Sequence, residues 1–278
     1  MTTVTTTPAS GRHAAAPTPS ETPAAGALAY PRHTFSLAKR SLLKMWRTPE
    51  ALIDVTLQPI IFLLMFTYIF GGAIAGSSSD YLQFLLPGLL GQSIAMAGVA
   101  LGQNLNADIE KGVFDRFRSL PIGRSVPLVG AVTADIARYF ILCVVTLGFG
   151  MIMGFRVETN AAAAVAAVLL AIAFALCFCW ISVFVGMKAR TSGAVQGIMF
   201  LIVLPLSFAS NTFVPTTTMP SWLAAFANFN PISQLVTTMR GLMVGGPVAT
   251  SLMWTFVWMA VLLVVFVPLA LRGYRRRV

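Results

Sequence analysis

"AAVAAVLLAIAFALCFCWISVFVG", residues 163–186, runs for twenty-four positions without one charged side chain. As a helix rising about 1.5 Å per residue, it would reach about 36 Å. The hydrocarbon layer of a bilayer is roughly 30 Å thick. Five more apolar runs of similar size lie at 52–75, 84–106, 132–154, 195–214 and 250–271. Backbone amides in lipid must be paired within their own segment, so such runs cross as helices. The alternating segments of about ten residues that mark a membrane barrel are absent. Composition agrees: 57% of residues are hydrophobic and only 10% charged, against roughly 25% charged in a soluble domain. The expected fold class is all-α, a polytopic membrane protein with six transmembrane helices.

Residues 1–33 are rich in Thr, Ala and Pro and poor in large apolar side chains. Such a segment cannot offset its ordering entropy by burial, so a disordered cytoplasmic tail is expected, followed by a transmembrane domain over 34–278. No apolar core follows within the first thirty residues, which argues against a cleavable signal peptide. Residues 34–48, "TFSLAKRSLLKMWRT", place Phe35, Leu42, Met45 and Trp46 at near-helical spacing among Lys39, Arg40, Lys44 and Arg47. That pattern predicts an amphipathic helix lying on the membrane surface. Between the last two runs, "MPSWLAAFANF" (219–229) and "PISQLVTTMRGLMVGG" (231–246) are apolar but too short to cross. They predict two short re-entrant or interfacial helices, with Trp222, Phe226, Leu235 and Met239 buried in the outer leaflet or capping a cavity instead of facing water.

Charge orients the runs. Sixteen of the nineteen Lys and Arg residues fall before the first run, in the second and fourth connections, or in the tail after the sixth. Arg156 and Arg240 fall on the other side, and Arg138 near the start of the third run. Basic residues stay in the cytoplasm, so both termini and the second connection are expected there. The net charge of +10 is then a topological bias facing anionic lipid, and no nucleic-acid partner is implied.

That second connection, "DIEKGVFDRFRSLPIGR" (108–124), gathers seven of the twenty-eight charged side chains. As a helix from Asp108, it sets Ile109, Val113, Phe114, Phe117 and Leu120 on one face. Its acids lie in the first turn, its arginines towards the end, and Pro121 and Gly123 stop it. Two readings fit: a surface helix that anchors topology, or aromatic knobs rimmed by charge that dock in a groove of a cytoplasmic partner.

Chemistry of the chain's own is hard to find. Gly is never followed by Lys, which excludes the phosphate-cradling G-x-x-x-x-G-K-[ST] loop, and neither H-E-x-x-H nor G-x-S-x-G occurs. Cys143, Cys177 and Cys179 all sit in apolar runs without Cys-x-x-Cys spacing, and His13 and His33 have no ligand neighbours. No metal, cofactor or catalytic residue is therefore assigned. Asp54, Asp135 and Arg138 are the charges nearest the apolar runs. Asp135 and Arg138, three apart, share a helical face and can form a structural ion pair, the alternative being a proton relay. Small-residue spacings at Gly98–Gly102, Gly150–Gly154 and Gly193–Gly197 could let helices approach.

The amphipathic helix, six runs and paired short helices resemble an ABC-2 type exporter permease. "GVFDRFRSLPIGR" is similar to the corresponding stretch of daunorubicin-resistance permeases of actinobacteria. The likeness extends over 34–278. It implies a coupling helix seated in a cleft of a cytoplasmic ATP-binding subunit, with Lys111, Gly112, Phe114, Asp115, Arg116, Phe117, Arg118 and Pro121 in that role. It further implies a second permease chain, ATP and magnesium held by the partner subunit, a bacterial plasma membrane location and a hydrophobic or amphipathic drug as cargo. Many polysaccharide-exporting relatives have a Glu-rich start to this loop, where this chain has only Asp108 and Glu110. A glycan or lipid exporter of the same architecture, an ion-coupled carrier and a plain membrane anchor are the rival readings.

Overall fold

The structure, a computed structural model, describes residues 49–111 and 126–277. The tail, the amphipathic helix at 34–48 and residues 112–125 lie outside the described residues. Ten α-helices follow one another in the described part: α1 (Pro49–Met65), α2 (Gly71–Ala75), α3 (Ser78–Ala97), α4 (Val99–Glu110), α5 (Val126–Ile152), α6 (Ala161–Lys188), α7 (Ser192–Phe208), α8 (Ser221–Phe229), α9 (Pro231–Met243) and α10 (Ala249–Arg277). A π-helical turn, Phe66–Phe70, joins α1 to α2. No strand occurs among the described residues.

Helices occupy all six expected positions. Five stretches are long and apolar enough to cross a membrane: Thr56–Ala75, Ser78–Glu110, Asp135–Ile152, Ala161–Lys188 and Ala249–Tyr274. The fifth expected run is a shorter helix, α7, of 17 residues, about 26 Å long. It ends at Phe208 rather than 214 because side chains claim its last carbonyls. Asn230 Nδ2 donates to Leu206 O at 2.6 Å and to Ala209 O at 3.3 Å.

The second and fourth spans form the centre. In lipid, helices gain nothing by hiding apolar surface from each other, so close packing of small residues and buried hydrogen bonds decide which pairs lock. Here α4 crosses α6 backbone to backbone. A Cβ on Gly102 would lie 2.2 Å from Ser182 O, and one on Gly186 2.5 Å from Gly102 O. Asn106 Nδ2 donates across the crossing to Gly186 O (2.8 Å) and Ala189 O (2.9 Å). By contrast, a Cβ on Gly193 or Gly197 would meet nothing within 4 Å. Only the first of the glycine pairs on α4 and α7 makes a helix crossing.

At the end of the bundle away from Lys111 and Lys188, α8 and α9 form a re-entrant hairpin. Its apex is Asn230, whose Oδ1 accepts the Ile232 N–H at 2.9 Å and caps α9. Trp258 Nε1 donates to Phe229 O at 3.0 Å, and Trp258 lies nine residues inside α10. The apex is therefore about 13 Å below that end of the helix. α9 then climbs back, with Val236 against Gly91 of α3. Of the four residues expected in the outer leaflet or over a cavity, Leu235 and Met239 are fully buried in the protein, and Trp222 and Phe226, 72% and 48% exposed, lie on its outer surface. The stripe on α9 faces the bundle, while Trp222 and Phe226 on α8 face away from it.

Candidate functional site

The described residues enclose one cavity rich in unpaired polar groups. It measures about 240 Å³ and opens between the first, second and fifth spans. Four of the six glutamines of the sequence line it: Gln58 from α1, Gln92 from α3, Gln103 from α4 and Gln196 from α7. The rest of the wall is apolar, with Phe62, Met96, Leu142 and Phe200. Among the described residues, no Asp, Glu, Lys, Arg or His lines it.

Local structure explains how these amides converge. Gln92 follows the Gly88 and Gly91 turns of α3, where the chain presses against Thr212 and Val236. That contact fixes the rotation of α3. Gln92 is 3% exposed, and its Oε1 is buried without a hydrogen-bond partner. No side-chain hydrogen bond joins any of the four glutamines to another described residue. An unpaired amide in a dry apolar setting costs about 1–3 kcal/mol, so the cavity is a place where polar atoms await partners. Amides both donate and accept. Neutral amides on apolar walls suit a cargo with hydroxyl, amine or carbonyl groups on an apolar body. Gln58 and Gln196 are also exposed on the outer face of the bundle, a surface ill suited to bare lipid.

Sequence reading overlooked these glutamines. They are single residues on three spans, up to 138 positions apart, and no local pattern joins them. The available signal was that amides within apolar membrane runs are costly and therefore mark function.

The loop residues expected to dock fare differently. Lys111 is exposed and ends α4, its N–H donating to Ala107 O at 3.0 Å. Gly112, Phe114, Asp115, Arg116, Phe117, Arg118 and Pro121 lie outside the described residues. Asp108 and Glu110, expected in the first turn of a separate helix, instead belong to the last turn of α4. No Gly or Pro lies between Gly102 and Gly112, so the second span runs on through them. Arg138 Nη2 lies 2.9 Å from Asp135 Oδ2 and 2.5 Å from Ala97 O, and the Tyr139 hydroxyl donates to the same Asp135 oxygen at 3.4 Å. Both charges sit outside the cavity lining. All three cysteines are free and buried, and no group of three or more His, Cys, Asp or Glu that could hold a metal occurs among the described residues.

Comparison with known proteins places this architecture. Residues 32–244 match the ABC-2 type transporter family. The daunorubicin resistance ABC transporter permease protein DrrB1 of Streptomyces coeruleorubidus is 40% identical over 238 residues, 86% of this chain and 84% of the relative. The doxorubicin resistance ABC transporter permease protein DrrB of Mycobacterium tuberculosis is 30% identical over 222 residues, 73% of this chain and 77% of the relative.

Proposed function

Since the chain belongs to the ABC-2 type transporter family, we propose that it is the membrane permease of an ATP-driven exporter that passes an amphipathic drug or antibiotic along the glutamine-lined cavity. The observation that carries the cargo class is the wall itself: four amides with aromatic and Met side chains, and no charge among the described residues that line it. A proton- or ion-coupled carrier would need an acidic group facing the passage, and among the described side chains that line it there is no such group. The relatives' names, which refer to daunorubicin and doxorubicin resistance, support the same class.

Two partners complete the machine. A cytoplasmic ATP-binding subunit supplies ATP and magnesium chemistry and receives the loop after Lys111. A second permease chain covers the face bearing Gln58 and Gln196. The cavity of about 240 Å³ is smaller than the roughly 300 Å³ at which drug-sized sites begin, so half a passage per chain fits the size. The excess of Lys and Arg sets both termini and the loop in the cytoplasm of a bacterial cell, with the re-entrant hairpin on the outside.

Docking is tested by replacing both Phe114 and Phe117 with Ala. Buried aromatic anchors typically contribute about 2 kcal/mol or more each, roughly thirtyfold in affinity per anchor, whereas an exposed ion pair contributes about 0–1 kcal/mol. The double variant is expected to insert at normal levels yet lose pull-down of the ATP-binding subunit and efflux of doxorubicin. Normal pull-down and efflux would contradict the docking role and favour a helix that only anchors topology.

A further inference from the structure

The aromatic wall of the cavity continues beyond its lining. Phe62, one of the lining residues, meets Phe66 edge to face, with ring centres 6.1 Å apart and planes at 89°. From Phe66 onward the rings lie nearly parallel. Phe66 stacks on Phe213 at 4.5 Å and 23°, and Phe213 on Phe208 at 5.4 Å and 25°. On its other side Phe66 faces Phe70 at 5.3 Å and 31°. The two end rings, Phe208 and Phe70, are 59% and 40% exposed. A ladder of aromatic faces thus leads from the cavity wall towards the hairpin end and opens on the outside of the bundle.

Local structure aligns these rings. Phe62, Phe66 and Phe70 are spaced by four along the first span, and an α-turn holds 3.6 residues. On a regular helix the third ring would drift off the line of the first two. The wider π-turn over Phe66–Phe70 turns that drift back, and such turns are frequent at functional sites. The two rings of the central pair are held unequally. Phe213 is 6% exposed, and its carbonyl accepts the buried Tyr81 hydroxyl at 3.0 Å. Its neighbour Thr212 is pressed against Gly88. Phe66 is only partly buried, on a turn whose Tyr68 and Ile69 are exposed. Phe66 is therefore the ring that yields. Thr67 Oγ1 and Ser207 Oγ, on residues that adjoin Phe66 and Phe208 in the chain, are buried without a partner, as Gln92 Oε1 is in the cavity. Ordinary core packing leaves few such atoms.

We propose that Phe66 and Phe213 form an aromatic gate between the glutamine-lined cavity and the hairpin end, and that this gate selects cargo with a flat, fused-ring body. The proposal rests on the reading of the cavity as the passage. Aromatic faces attract one another whichever molecule supplies them. A flat cargo that slides between Phe66 and Phe213 gives back to each ring the face it loses when the pair parts. A cargo without such a face separates the rings and replaces nothing, so it is held back. Beyond the pair, Phe208 and Phe70 offer the next faces on the way out.

The test uses the full chain, co-expressed with its ATP-binding subunit and reconstituted in proteoliposomes. The probes are doxorubicin, which carries a flat fused-ring body, and erythromycin, an amphipathic amine without an aromatic ring. Wild-type protein should move doxorubicin at least tenfold faster than erythromycin. Phe66→Leu and Phe213→Leu keep an apolar side chain and lose the flat face. Both should keep pull-down of the ATP-binding subunit and hold hydrolysis within twofold. Cargo still meets the glutamines first, so KM for doxorubicin should stay within twofold while kcat for its transport falls at least tenfold. Phe66→Tyr, which keeps the ring, should stay within threefold of wild type. If Phe213→Leu fails to accumulate, Phe66→Leu carries the same reading, because Phe66 is the less buried ring. Unchanged kcat in the Leu variants, or equal transport of the two probes, would overturn the proposal. So would a parallel fall of pull-down, hydrolysis and transport, or failure of both Leu variants to accumulate, the marks of a pair that only holds the fold. A wild-type chain that moves neither probe would overturn the cavity as a drug passage, and the gate with it.

Discussion

The hairpin end of the bundle and the cavity treat their polar groups in opposite ways. Around the hairpin a network of polar side chains ties the helices together, although Ser207 Oγ and Asn211 Oδ1 stay buried without a partner. Arg240 donates to Phe84 O (3.2 and 3.1 Å) and Asn211 O (3.1 Å), with its guanidinium carbon 3.7 Å above the Phe84 ring. Asn211 Nδ2 donates to Thr237, and the Tyr81 hydroxyl to Phe213 O. Around the cavity four glutamines converge and bond to no described side chain or backbone group. Satisfied buried networks rigidify and specify one arrangement. Unsatisfied ones store binding capacity. The hairpin is thus the more firmly hydrogen-bonded region, and the proposed function makes the cavity the place for a guest.

The largest effect should come from the crossing that both regions lean on. Gly102→Ala puts a methyl 2.2 Å from a backbone oxygen that cannot step aside. Its cost should be about 3 kcal/mol, the upper end of ordinary overpacking, read as a sharp loss of folded protein in membranes. Gly197→Ala, with nothing within 4 Å of the added carbon, should leave the level unchanged. Equal effects would deny that the α4–α6 crossing is special.

Smaller, and confined to the hairpin, is Asn230→Ala. It removes the cap on α9 and both donations to the end of α7. A loss of about 2 kcal/mol is expected, from one cap and one strong buried hydrogen bond, seen as a lower melting midpoint in nanodiscs. No shift would mean the apex is not held as described.

The smallest stability effect belongs to the cavity. Gln92→Leu deletes an acceptor that has no partner, so stability should change by less than about 1 kcal/mol in either direction. Doxorubicin efflux should nevertheless fall, because the guest loses an amide. A large drop in melting midpoint would show that Gln92 is structural.

The same contrast explains what the sequence discloses. Spanning runs are legible because length and apolarity are local properties, and 163–186 declares itself without any neighbour. The stripe Ile232, Leu235, Val236, Met239 likewise reports its burial, all four being fully buried. What depends on a distant partner is illegible. Gly98–Gly102 and Gly193–Gly197 look alike as text, and only the arrival of Ser182 and Gly186 at the former tells them apart. The end of α7 is set by Asn230, over twenty residues later. The glutamines of the cavity become a site only when three spans are brought side by side.

The most direct test of the cavity as the passage is drug protection at Ser93, which lines it. Cys143, Cys177 and Cys179 are all buried, so a thiol introduced as Ser93→Cys should stand out above the native background. With the ATP-binding subunit present, saturating doxorubicin should slow maleimide labelling of that thiol at least tenfold and leave a Thr159→Cys control beside the hairpin unaffected. Equal labelling of Ser93→Cys with and without drug, in protein that still exports doxorubicin, would contradict the cavity as the route.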